Sequence, residues 1–183
     1  RIHNFFLNQP SYAGLVVSIN DATCSKVEEW KKPDLHREMG RYDLLDKAPS
    51  ITIFLRRQVV REVGEFDEAL GVGSGTIFLS AEETDYLIRA VSGGWKLAYA
   101  PTIKVGHPRF PEGEQGIVKI GNYAVGTGYV LRKQSYPWWS LFYGIWFPII
   151  KALVKIVLGH GTQSFRLYYA ILKGRIKGWR VYS

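Results

Sequence analysis

The chain has 183 residues, 46% of them hydrophobic and 22% charged, which excludes an intrinsically disordered chain and suits one domain with a real core, or one domain plus an appendage. Cys24 is the only cysteine, so an internal disulfide is excluded, and the usage suits a reducing compartment. The net charge of +8 sits in the C-terminal part: after Glu114 there are ten basic residues and no acid, leaving fourteen basic against sixteen acidic residues before that point, a balance of −2. A one-sign tail of this kind points to an anionic partner.

The first residue is Arg1, the only methionine is Met39, and no apolar signal-peptide core follows Arg1. The expectation is a piece of a longer polypeptide or a processed product. Ala13–Ile19 (AGLVVSI) predicts a buried strand, SKVEEWKKP a short charged helix or turn ending at Pro33, and Ser50–Arg57 (SITIFLRR) a second strand. QVVREVGEFDEAL reads as helical up to Gly64, where glycine stops it. Gly71–Gly75 (GVGSG) reads as a flexible loop.

A helix is expected from Ser80, because Ser80 and Glu83 have the S-x-x-E spacing of a capping box. Leu87, Ile88 and Val91 supply its apolar stripe, and Gly93-Gly94 ends it. WKLAYA alternates, with Trp95, Leu97 and Tyr99 on one face of a half-buried strand. Pro101 is expected to interrupt it, with a further short extended segment ending at His107. From Tyr136 the run YPWWSLFYGIWFPII carries no charge over fifteen residues, and Lys151 and Lys155 follow. A spanning helix needs about 20 apolar residues, and the lysines and Pro148 break this one. The tryptophans and tyrosines favour a membrane–water boundary, so one or two helices lying in the interface are expected, lysines towards the headgroups. A re-entrant or spanning segment and a buried soluble helix are the alternatives.

Two readings stand side by side for the acidic stretch SAEETDYLIRA. In one, Glu83 caps its helix while Asp85 and Arg89 form an i,i+4 pair worth roughly 0.3–0.5 kcal/mol. In the other, Glu83 is a general base just after a glycine loop, with Glu82 and Asp85 raising its pKa by like-charge repulsion and Arg89 opposing that. His107 at a strand end is either structural or a metal or diphosphate contact. The sequence has no CxxC, HExxH, GxGxxG or P-loop, and no Asp-x-Asp pair.

In order and spacing, these segments resemble the acceptor-side half of a family 2 glycosyltransferase. The matching positions are Arg56-Arg57 at a strand end; Gly64, Phe66, Asp67 and Glu68; the acidic Glu82, Glu83, Asp85 with Arg89; then Gly94, Tyr99, Pro101 and His107. The resemblance covers about Ser50 to Arg109. It implies an α/β fold, the C-terminal part of a GT-A (Rossmann-like) domain over residues 1–115; the basic, aromatic-rich region over 116–183 that follows is read, from its own composition, as amphipathic interfacial helices. The resemblance implies an inverting transfer from a nucleotide-diphosphate sugar to an acceptor hydroxyl, with Glu83 (usually Asp in the family) as base, Asp85 and Arg89 bracing the site, and Glu82 a further acid of the catalytic group.

By the same resemblance, Arg89, Gly73, Ser74, Gly75 and Arg132 would contact substrate, and His107 would approach a divalent metal, Mg or Mn. The nucleotide-binding half with its Asp-x-Asp motif is not in these residues, so this stretch alone is expected to be inactive. Implied partners are a nucleotide-sugar donor, a glycan or lipid-linked acceptor and an anionic membrane surface. The setting implied is the cytoplasmic face of a membrane, in surface polysaccharide or cell-wall glycan synthesis. A non-catalytic, basic, membrane-associating binding module is the rival. Nucleic-acid binding through GRIKGWR is disfavoured by the long apolar run at 136–150.

Overall fold

A computed structural model describes residues 1–21, 36–47, 49–107, 113–158 and 162–181; the expected helix or turn over 25–33 lies outside them. The chain is mixed α/β and divides into two compact units. The first comprises Arg1–Phe66 and Tyr86–Arg109, the second Asp67–Asp85 and Phe110–Ser183.

The first unit runs α1 (Ile2–Asn8), β1 (Gly14–Asp21), β2 (Arg37–Glu38), α2 (Leu44–Lys47), β3 (Ile53–Leu55), α3 (Arg57–Val63), the greater part of α4 (Glu82–Ser92) and β4 (Leu97–His107). The described strands form one sheet in the order β2-β4-β1-β3. β1 and β4 are parallel, and the two outer strands are antiparallel to their neighbours. The consecutive residues Leu15, Val16 and Val17 are all buried. Successive strand side chains point to opposite faces, so β1 is covered on both sides, as its unbroken apolar run requires. Leu15, Val17, Ala98 and Ala100 form one core cluster beneath Phe5 and Phe6 of α1. Ala13, Val59 and Ala90 form another with Leu55, Val63 and Trp95, which seats α3 and α4.

Three expectations change here. The strand expected over Ser50–Arg57 shrinks to β3, because Ser50–Thr52 forms a one-turn 3₁₀ segment. Both the amide and the hydroxyl of Thr52 donate to the Pro49 carbonyl, at 2.9 and 2.7 Å, and close that turn. Leu97 and Ala98 are both fully buried, so β4 begins as an interior strand rather than an alternating half-buried one. Pro101 does not interrupt β4. Val17 pairs with Ala100 and Ser18 with Lys104, so residues 101–103 form a bulge that absorbs the missing proline N–H.

Arg56 locks the N-terminal segment. Its Nε donates to the Tyr12 carbonyl (2.8 Å) and its Nη2 to that of Phe6 (2.7 Å). The guanidinium also lies 4.8 Å from the Phe6 ring centroid, within cation–π range. As expected, α3 stops at Gly64, whose φ of +80° and ψ of −148° suit only glycine.

The second unit holds α5 (Gly113–Lys133), a 3₁₀ turn at Trp138–Phe142, α6 (Trp146–Val157) and α7 (Gln163–Val181). α5 and α7 run in the same direction along a glycine seam. Gly174 faces the Gly121 carbonyl and Gly178 the Val125 carbonyl, and a Cβ at either would fall inside van der Waals contact. No described helix is long and apolar enough to cross a membrane.

Candidate active site

In the second unit the segment from Asp67 to Ala81 leads into the acidic helix. Asp67 Oδ1 accepts from the Ala69 amide (2.9 Å), an Asx turn. The Gly71 amide donates to the Phe78 carbonyl (2.8 Å) and closes the glycine loop. Inside it the Thr76 hydroxyl donates to the Ala69 carbonyl (2.7 Å), accepts from the Phe78 amide (3.0 Å) and meets Ser74 Oγ (3.0 Å). The stretch read as a flexible loop is therefore tied by its own hydrogen bonds. Gly73 and Gly75, at φ of +96° and +74°, form its exposed tip. The Ser74 hydroxyl is engaged with Thr76.

α4 starts at Glu82, one residue later than a capping box with Ser80 as its cap predicts. Ser80 gives its hydroxyl proton to the Tyr123 carbonyl of α5 (2.7 Å), and its own carbonyl rests against Gly126, where a Cβ has no room. Ala81 then adopts φ of +76°, a left-handed conformation unusual for a residue with a side chain. This turn swings the chain off Ser80 and begins the helix with the bond from the Asp85 amide to the Ala81 carbonyl (2.9 Å). Glu82, Glu83 and Asp85 fall in the first turn, where the helix dipole favours negative charge.

The three acids have different surroundings. Asp85 is fully buried. Its Oδ1 accepts from Gln134 Nε2 (2.7 Å) and lies 3.0 Å from Lys133 Nζ. Lys133 Nζ also bonds Asp67 Oδ2 (2.7 Å), so one ammonium at the end of α5 bridges both aspartates. Burial works against the charged ammonium, but the hydrogen bonds and charges of Asp67 and Asp85 outweigh it and hold the Lys133 pKa above its ordinary value. The Glu82 carboxylate turns onto Gly71, and its Oε2 is buried with no hydrogen-bond partner. Glu83 is half-buried beside it in the same turn.

Arg89 holds the chain around Gly64. Its Nη1 donates to the Val63 carbonyl (2.8 Å) and its Nη2 to that of Glu65 (2.6 Å), satisfying a helix C-terminal carbonyl. Its guanidinium lies 5.1 Å from the Tyr86 ring, which stacks on Phe66 at 4.5 Å. Burial raises the Tyr86 pKa, with the Arg89 charge opposing the shift. Arg132 is exposed, 5.4 Å over the Trp179 ring.

His107 is the exposed last residue of β4, opposite Asp21 in the ladder. Among the described residues no three His, Cys, Asp or Glu side chains gather into a group that could hold a metal ion. A single imidazole is not by itself a divalent-ion site.

Glu82, Glu83, Asp85, Gly73, Ser74, Gly75 and Arg132 thus belong to the second unit, and Arg89 and His107 to the first. The Lys133–Gln134 clamp has no local signal in the sequence, because nothing links Gln134 to an aspartate 49 positions away. The chain matches no protein-family model, no curated protein and no solved structure.

Proposed function

We propose that the chain is the acceptor-side part of a GT-A glycosyltransferase that transfers a sugar with inversion, and that Glu83 is its general base. One observation carries this reading: Glu82 and Glu83 open α4 after the left-handed Ala81, directly beyond the glycine loop, on a turn fixed from below by the buried Asp85. Such a turn holds a carboxylate still, as a positioned general base requires. The acceptor oxygen forms its bond to the anomeric carbon as the bond from that carbon to the diphosphate breaks. Glu83 takes the hydroxyl proton, and the nucleoside diphosphate leaves with the electron pair. Asp85, Lys133 and Gln134 are positioning residues that hold the turn. Any divalent ion in such an enzyme would offset leaving-group charge.

The test uses the polypeptide encoded by the complete natural reading frame, assayed with labelled nucleotide-diphosphate hexoses and acceptor-bearing membranes. Glu83→Gln should lower turnover about 100- to 10,000-fold, with circular dichroism unchanged. Transfer within threefold of the parent would remove Glu83 from the base role. The rival reading, a binding module without chemistry, draws on the exposed apolar residues of α6 and expects no transfer from either protein.

A further inference from the structure

α6 is apolar on two sides. Its inward stripe, Ile145, Ile149, Ala152 and Ile156, packs into the second unit, with Ile145 and Ala152 fully buried. Its outward stripe is just as apolar: Trp146 is 60% exposed, Val154 52% and Val157 86%, with Ile150 and Leu153 between them. These positions follow i, i+4, i+7, i+8 and i+11, one continuous helical face. An outward apolar face of this length is uncommon on a surface that stays in water.

The preceding 3₁₀ turn adds Trp138, 67% exposed, with Phe142 edge-on to it at 6.4 Å. That turn is held in place. Arg175 of α7 donates from Nη1 to the carbonyls of Leu141 (3.1 Å) and Tyr143 (2.6 Å). The helix carrying Arg175 is itself fixed to α5 through the glycine seam. The aromatic turn is therefore presented by a rigid support.

We infer that the outward face of α6, with the Trp138–Phe142 turn, is a preformed surface that inserts shallowly into an anionic lipid bilayer, while α7 serves as its scaffold. Charge selects this occupant. No acid follows Glu114 in the sequence, and the unit exposes Lys151 on α6 and Lys173, Lys177 and Arg180 along one side of α7. Anionic headgroups complement that charge, and each basic residue near them favours binding by about fivefold. A second copy would set these cations against their own kind. On α6 the exposed Lys151 lies to one side of the apolar stripe rather than within it, as an interfacial helix requires. The inference does not depend on the transfer reading.

Flotation of the full chain with vesicles of phosphatidylcholine alone, and with about one-third phosphatidylglycerol, tests it. The expected result is flotation with the anionic vesicles and a blue shift of tryptophan fluorescence. Partitioning should fall at least about tenfold in Ile150→Glu/Val154→Glu and be unchanged in Val118→Glu, which alters an exposed valine of α5. Lys151→Ala should reduce binding and flatten its salt dependence. Absence of flotation, or flotation unaffected by the α6 charges, would overturn the inference. So would sedimentation showing a dimer that Ile150→Glu/Val154→Glu dissolves while vesicles bind nothing, since the face would then belong to a second copy.

Discussion

Replacing Lys133 by methionine keeps the apolar stem and removes the ammonium that bridges Asp67 and Asp85. The two contacts differ in weight. Asp67 and Lys133 retain 20% and 24% of their side-chain exposure, so that pair is partly screened and contributes about 0.5–1 kcal/mol. The Asp85 side chain retains none, and a charge-assisted bond to it contributes about 1.5–3 kcal/mol. Together they predict a loss of about 3 kcal/mol, or about 6–12 °C in Tm for a chain of this size. Urea unfolding followed by tryptophan fluorescence measures it. Adding Asp85→Asn should restore at least about 1 kcal/mol, because no buried charge is then left without its cation. A loss below about 1 kcal/mol in Lys133→Met, or strict additivity of the two changes, would refute the buried-bridge argument.

Alkaline pH should destabilise the parent protein. With its folded pKa raised, Lys133 contributes stability that is whole below its ordinary 10.5 and lost as pH rises through the folded value. Tyr86, raised from 10.0, adds in the same direction, since the unfolded phenol ionises first; a pH series of urea midpoints from 9 to 11.5 should fall more steeply in the parent than in Lys133→Met. Gly64→Ala forces a side chain into a glycine-only conformation and should lose about 1–3 kcal/mol, read as the same midpoint shift. Ala81→Gly should be neutral or stabilising by up to about 1 kcal/mol, whereas Ala81→Val should lose at least that much. Arg56→Met removes two bonds to backbone carbonyls and should lose about 2–3 kcal/mol, with faster proteolysis near Tyr12.

Much of the local structure was legible because it rests on local chemistry. The unbroken apolar run in β1, the stop at Gly64 and the end of α4 at Gly93-Gly94 are written in neighbouring residues. The misreadings have non-local causes. Ser80 carries the right cap spacing, but the carbonyl of Tyr123, 43 positions on, takes its hydroxyl, and Ala81 turns left-handed. Pro101 breaks an isolated strand pattern, yet a central strand bordered by β1 carries it in a bulge. The acidic cluster was visible as a candidate site. Which acid is buried was not, because that is decided by Lys133 and Gln134 at the end of a different helix. The outward apolar face of α6 could be suspected from composition, but its separation from the inward stripe needed the packing of Ile145 and Ala152.

The two units interleave along the chain, and this sets an order of events during synthesis. The central pair of the sheet joins Gly14 to Leu97, so a loop of about eighty residues must close before β1 gains its parallel neighbour. Until β4 leaves the ribosome, β1 has only the three residues of β3 along one edge. The other edge, flanked by the apolar Leu15, Val16 and Val17, waits exposed in the meantime, a template for mispairing. The early segment Asp67–Asp85 likewise waits for α5 before Asp85 meets Lys133 and Gln134. Nascent chains halted before Leu97 should therefore depend on chaperones far more than chains released after His107.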